Sequence, residues 1–483
     1  MFIVTRGTVL TNLLWKFAER CGAQGISFVV SIVLARMLMP EDYGLIALVM
    51  IFINLLGVFI DSGFGRALIQ KKGADTLDFS SVFYVQMTIC LCLYVLMFFA
   101  APWIADFYAQ PGLASIVRVL SISLIFSGLN SVQYAYVSRH MIFKRFFYTT
   151  IGANLCSAIV GISMAYQGFG VWSLVAQSLT SGIAGTLILW KIVPWHPQLV
   201  FSLARVRDLF SFGWKLLASG ILDAFYNQLW QLIIGKVYTP AELAFYNRGH
   251  NFPNIIVSNI DASINSVLLP VMSSEQDDIG RVRMMTRRAI MTSIFIMAPM
   301  MMLMAFAANN IIILLLTEKW LPAMPFLCIF CVDFMFYPVH TANLNAIQAL
   351  GRSDIFLKLE IVKKVVGFSI LLITMPHGVL AMAYGMLAGG VCSQIINSWP
   401  NRRLLEYGYL HQLQDFFPSV LLAVVCGVIV HGMNDLGLTV WLTLLLQVTC
   451  GAVLYFAGAW LMRMEPMMYI VSMVRPMLAK LHG

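Results

Sequence analysis

Residues 31–61 read SIVLARMLMPEDYGLIALVMIFINLLGVFID. An apolar stretch ends at Ala35, a polar break runs from Arg36 through Pro40, Glu41 and Asp42, and a second apolar stretch follows from Leu45 to Ile60. A helix that crosses a bilayer needs about 20 mostly apolar residues. Two such stretches joined by a few polar residues and a proline predict two spanning helices that turn around at a membrane face. Working outward with the same criterion predicts fourteen spans, near 13–37, 44–65, 80–101, 114–137, 147–166, 170–190, 211–235, 250–271, 287–307, 323–348, 355–375, 378–398, 414–432 and 437–461.

Composition agrees with that count. The 483 residues are 60% hydrophobic and only 11% charged, whereas a soluble domain carries roughly 25% charged residues. A water-soluble fold of this size has too little interior to hide so much apolar surface. Secreted disulfide scaffolds, disordered regulators and ordinary cytosolic enzymes are excluded. The net charge of +9 does not point to nucleic acid, because no basic run is longer than a pair. Basic cytoplasmic loops account for it. With the N-terminus in the cytoplasm, twenty-one of the 31 lysines and arginines fall on cytoplasmic segments, among them Lys71, Lys72, Arg139, Lys144, Arg145, Arg205, Arg287, Arg402 and Arg403. Only Arg36, Lys236, Arg248 and Lys319 fall outside, and six fall within spans. An even number of spans then puts both termini in the cytoplasm. The first apolar run is interrupted by Lys16, Glu19 and Arg20, which does not fit a cleavable signal peptide.

The chain repeats itself at an offset of 200. Arg36, Pro40, Asp42, Asn54 and Asp61 answer Lys236, Pro240, Glu242, Asn254 and Asp261, and Trp15-Lys16 answers Trp214-Lys215 one residue closer. Each repeat holds six spans, so both enter the membrane from the same side, as parallel repeats do. The expected organisation is a lobe over 1–200, a second lobe over 201–410, and two extra helices with a cytoplasmic tail over 411–483.

An ionisable group inside a span is a functional candidate, because taking it out of water costs at least a few kcal/mol. Lys16, Glu19 and Arg20 share one face of the first span. Asp61 ends the second; Lys215 and Asp223 lie on the seventh, Asp261 on the eighth, Asp333 and His340 on the tenth, and Glu360, Lys363 and Lys364 on the eleventh. Structural alternatives stand beside each: Lys16 and Lys215 can snorkel to the interface, Glu360 and Lys364 have the spacing of a helical ion pair, Asp61 and Asp261 can cap adjoining loops, and His340 can be a packing residue. Cys328 and Cys331 have redox or metal spacing, but without a second pair in an apolar run they read as small membrane residues. No P-loop, GxGxxG, HExxH or GxSxG element is present, so no catalytic residue or metal site is expected. Loops of about twenty residues at most leave no room for an ATPase domain. The work of any transport must come from a gradient or from the substrate's own concentration difference.

Several stretches together resemble a known family: Ser31-Ile-Val-Leu-Ala-Arg36 with Leu38 and Pro40-Glu-Asp-Tyr43-Gly44, Asp61-Ser-Gly63-Phe64-Gly65, Leu269-Pro270-Val-Met-Ser273, and Glu318-Lys319-Trp320. With the 6+6+2 plan of spans, they resemble the polysaccharide-transport branch of the multidrug/oligosaccharidyl-lipid/polysaccharide exporter superfamily, in particular the Wzx-type flippases of the colanic-acid-exporter-like group. The resemblance implies an all-α integral membrane protein of fourteen helices, in two pseudo-symmetric six-helix lobes that alternate between inward-open and outward-open forms. It implies a bacterial inner-membrane location and a substrate of undecaprenyl diphosphate carrying an oligosaccharide repeat unit, and it allows shared work with a polysaccharide polymerase or export complex. Lys16, Arg20 and Lys215, then Lys363 and Lys364, become candidates for the diphosphate. Glu19, Asp61, Asp223, Asp261, Asp333 and Glu360 become candidates for sugar hydroxyls or for a coupling H+ or Na+, with no other cofactor. Two other readings stay open: a cation-coupled drug antiporter of the same fold, and a membrane polysaccharide polymerase.

Overall fold

The computed structural model describes residues 6–472 apart from Ser62 and Lys72, and leaves out the side chains of residues 6–14, 17, 61, 66, 211, 212, 215 and 216. The regular elements among the described residues are helices. In chain order they are α1 (Arg6–Met37), α2 (Pro40–Asp61), α3 (Phe64–Gln70), α4 (Thr76–Phe107), α5 (Leu113–Leu120), α6 (Ser123–Arg139) and α7 (Lys144–Tyr166). Then come α8 (Val171–Ile192), α9 (Leu203–Val237), α10 (Pro240–Ser274), α11 (Ile279–Phe306), α12 (Ala308–Leu316) and α13 (Met324–Met335). The last are α14 (Tyr337–Ala349), α15 (Ser353–Thr374), α16 (Val379–Ser398), α17 (Asn401–Leu404), α18 (Tyr409–His431) and α19 (Val440–Leu461). Among the described residues, twelve helical stretches, from Ala18–Met37 to Val440–Leu461, are long and apolar enough to cross a membrane. The seventh and eleventh expected spans are also helices, α9 with 35 residues and α15 with 22. They stand apart because Asp223, Asn227, Gln228 and Gln231 interrupt the one, and Lys358, Glu360, Lys363 and Lys364 the other.

The repeat governs where helices stop and start. α1 ends at Met37 and α9 at Val237, while α2 opens on Pro40 and α10 on Pro240. Proline suits the first helical position, where its missing N–H has no partner to lose. The acidic residue two places on closes each start: Asp42 Oδ2 accepts the Met39 N–H at 3.1 Å, and Glu242 Oε2 accepts the Thr239 N–H at 3.0 Å. Thr239 Oγ1 accepts the Glu242 N–H in return at 3.2 Å, a reciprocal cap. α4 starts the same way, with Asp75 and Asp78 each accepting the other's backbone N–H. That bond to Asp78 holds the exposed Asp75 carboxyl below the usual aspartate range.

The helices form two compact units, 1–244 and 245–483. In the first, α1 packs along α7, α7 along α8, and α4 along α6. A buried cluster of Phe79, Val82, Phe83, Val132, Leu189 and Trp195 fills its interior. α9 lies against α2, α3 and α4 of this unit. The segment before it is stitched down: Ser80 Oγ accepts the Gln198 N–H at 3.1 Å, Ser81 Oγ accepts the Ser202 N–H at 2.9 Å, and Tyr84 donates to the Gln198 carbonyl at 3.0 Å. Arg205 of α9 then reaches the buried Asp78, which Lys71 also contacts at 2.7 Å.

In the second unit α11 packs on α13, α14, α18 and α19, and α15 packs on α16. Its polar interior is fully buried. Asn343 and Gln412 exchange amide hydrogen bonds at 2.9 and 2.8 Å, and Asn401 donates to Asn343 Oδ1 at 2.7 Å. Arg287 of α11 holds Asp415 of α18 at 2.9 and 3.0 Å and Glu465, just beyond α19, at 2.7 Å.

Candidate functional site

The first unit carries its candidate residues on α1, against α7. The two helices run parallel. Trp15 meets Phe147 edge-on at 5.3 Å, and Asn154 Nδ2 reaches the Ala23 carbonyl and Ser27 Oγ, both at 3.4 Å. Between these contacts Thr150 donates to Glu19 Oε1 at 3.1 Å. Glu19 is half-buried, while Lys16 and Arg20 are exposed. Lys16 Nζ lies 5.2 Å from the ring centre of Phe143, and Lys144 Nζ lies 5.3 Å from that of Trp15. Of the remaining sites expected here, Asp223 is exposed on α9. Asp61 and Lys215 are helical, but their side chains lie outside the described residues.

In the second unit the acidic candidates belong to contacts between helices. Asp261 of α10 accepts from Asn265 one turn on at 3.0 Å, and Thr341 of α14 donates to its other oxygen. One turn further along both helices, Asn345 donates to Asn265 Oδ1 at 2.9 Å. Asp261, Asn265, Thr341 and Asn345 thus form a polar ladder across α10 and α14. Asp333 of α13 lies against Gly390 of α16, where any side chain would collide with its carboxylate. His340 stands 3.1 Å from the amide nitrogen of buried Asn397. On α15 Glu360 takes an ion pair from Lys363 at 2.6 Å, both partly shielded, and Lys364 is half-buried beside them. Cys328 and Cys331 carry free thiols, and no cluster of metal-ligating side chains occurs among the described residues.

The structure therefore brings Lys16, Glu19 and Arg20 together on α1, and Glu360 with Lys363 on α15. It adds partners that charge alone did not reveal: Thr150, Asn154 and Lys144 on α7, and Asn265, Thr341 and Asn345 on α10 and α14. A signal for them existed in the sequence. Thr150 and Asn154 sit one helical turn apart in an apolar run, a spacing at which two polar residues share a face. Chemically, ammonium and guanidinium groups suit a phosphate anion, while carboxylate and amide oxygens suit hydroxyl groups or a small cation.

Two units of membrane-length helices, with charged and amide groups between helices, define a polytopic all-helical membrane protein. The fold matches that of the lipid II flippase MurJ in an inward closed conformation, with a TM-score of 0.74 and 15% identity over 94% of this chain and 99% of that one. It also matches a multidrug resistance MATE family transporter in an inward-facing conformation, with a TM-score of 0.62 and 16% identity over 79% of this chain and 94% of that one. Residues 33–325 match the polysaccharide biosynthesis protein family, and the chain belongs to that family. It is 25% identical to the succinoglycan biosynthesis transport protein ExoT of Rhizobium meliloti over 67% of this chain and 66% of that protein. The teichuronic acid biosynthesis protein TuaB of Bacillus subtilis is 24% identical, over 82% of this chain and 84% of that protein. The lipopolysaccharide biosynthesis protein WzxC of Escherichia coli is 22% identical, over 81% and 80%.

Proposed function

We propose that this protein moves a lipid-linked oligosaccharide across the bacterial inner membrane by alternating access, with undecaprenyl diphosphate as the lipid carrier. The observation that carries the reading is family membership, joined by relatives that span most of the chain and serve the making of succinoglycan, teichuronic acid and lipopolysaccharide. The three named products differ, so the reading places recognition on a lipid carrier rather than on one sugar sequence. The cations on α1 suit the diphosphate; within the second unit, Lys363 and Lys364 suit an anion, and the Asp261 ladder and Asp333 suit sugar hydroxyls or a coupling cation. The protein acts as a transporter rather than an enzyme, with all fourteen expected spans crossing the membrane and both termini in the cytoplasm. A polysaccharide polymerase is a natural downstream partner.

Deletion of the gene tests the reading. Intact lipid-linked repeat units are expected to accumulate on the cytoplasmic face, out of reach of a membrane-impermeant lectin, and to clear when the wild-type gene returns. Accumulation on the outer face would assign the protein to polymerisation. No accumulation would point to export of some other solute.

A further inference from the structure

The contact between α1 and α7 contains a reciprocal arrangement. Lys16 of α1 is held over Phe143 beside the start of α7, and Lys144 of α7 is held over Trp15 of α1 at 5.3 Å and Tyr148 at 5.9 Å. Trp15 is fixed in turn by Phe147 at 5.3 Å and Tyr148 at 6.3 Å. Neither lysine makes an ion pair among the described residues. Arg145, next along α7, has a buried Nη1 with no hydrogen-bond partner and likewise makes no ion pair among the described residues. With Arg20, this end of the two helices carries four cations. The single carboxylate on these stretches, Glu19, accepts from Thr150.

A ring face attracts an ammonium group but takes none of its three N–H donors as a carboxylate would. The aromatic seats therefore fix the position of Lys16 and Lys144 while leaving their hydrogen-bonding capacity for a ligand. A phosphate group supplies strong acceptors for several charge-assisted bonds at once. Two ammonium groups on separate helices suit the two phosphates of a diphosphate better than a phosphodiester with one charge.

We infer that Lys16 and Lys144, seated on Phe143 and Trp15 and flanked by Arg145, form a phosphate-binding site selective for a diphosphate lipid over an ordinary phospholipid. This rests on the flippase reading and adds α7 to the groups that receive the substrate. Lys144 becomes a binding residue, and Trp15 and Phe143 become positioning residues.

The test uses the full chain in nanodiscs, titrated with undecaprenyl diphosphate and separately with phosphatidylglycerol, and read by native mass spectrometry. Lys16→Gln and Lys144→Gln are each expected to weaken undecaprenyl diphosphate binding at least tenfold, while phosphatidylglycerol binding changes less than twofold. Lys144→Arg should recover most of the loss. Trp15→Leu should weaken binding several-fold by releasing Lys144. Unchanged diphosphate binding in the Lys16→Gln/Lys144→Gln double variant would overturn the site. An equal loss for both lipids would overturn its selectivity and make it a general headgroup contact. Export of repeat units by the wild type, scored by lectin access in the deletion strain, is a separate readout. If export fails there, the flippase reading falls; if export holds and binding is unmoved by the variants, only the site falls.

Discussion

Gly44 shows how one missing side chain sets a helix contact. It lies near the start of α2, and its Cα faces the backbone carbonyl of Pro240, which a Cβ would strike. A backbone group cannot rotate away as a side chain can, so Gly44→Ala should separate α2 from the start of α10 at a cost of about 1–3 kcal/mol. Thermal unfolding in detergent should show a lower midpoint, and an unchanged midpoint would refute the close approach. Asp261 is the other case. Thr341 donates to one of its oxygens and Asn265 to the other. Thr341→Val keeps the shape but removes a donor from a half-buried carboxylate, and should destabilise the protein by about 1–3 kcal/mol. Thr341→Ser should restore most of that. Equal stability in the valine and serine variants would show that the bond contributes nothing.

At the scale of elements, the last two helices are fastened to α11 by Arg287. Its guanidinium makes two bonds to Asp415 and two to Glu465, and Tyr407 also donates to Asp415 at 2.7 Å. Lysine cannot make paired planar contacts of this kind. Arg287→Lys is expected to loosen α18 and α19 and speed proteolysis of the segment after α19, which limited digestion would detect. The Arg287 bonds hold the Glu465 carboxyl below the usual glutamate range. A carboxyl so depressed contributes stability in full above its unfolded value of about 4.5, and that contribution disappears as the pH falls through the lower folded value. The acid-side loss of stability should therefore be smaller in Glu465→Gln than in wild type. A Glu465→Gln profile parallel to wild type below pH 4.5 would show no linkage. The contribution is modest, because Glu465 is more than half exposed and solvent screens the pair.

Over the whole molecule, the segment between α8 and α9 behaves as part of the first unit. Ser80, Ser81 and Tyr84 bind its backbone, Gln133 donates to the Trp195 carbonyl at 3.0 Å, and Arg205 reaches Asp78. A free connection would exchange its amides at the rate of an open chain. Here the Gln198 and Ser202 amides should exchange slowly, and a Ser80→Ala/Ser81→Ala double variant should release them by about tenfold or more, corresponding to the loss of roughly 1 kcal/mol per bond. Exchange at open-chain rates in the wild type would mean that the segment is loose.

The amino-acid sequence by itself determined the solvent of this protein and most of its helices, because a span needs a long run of apolar residues and that information is local. It also marked where helices restart, since Pro40 and Pro240 with Asp42 and Glu242 act within one turn of themselves. The clustering of Lys16, Glu19 and Arg20 was legible for the same reason: residues three and four apart share a helical face. What only the tertiary structure decided is which helix faces which. The meeting of Thr150 with Glu19, of Lys144 with Trp15, and of Thr341 with Asp261 joins residues 80 to 131 positions apart. Apolar helices are nearly interchangeable to a reader of sequence, because lipid and a neighbouring helix are equally good solvents for leucine. The partners are chosen by shape and by a few polar bonds that become visible only once the helices are packed. For that reason α9, which the repeat counts with the later helices, lies on α2, α3 and α4 of the first unit.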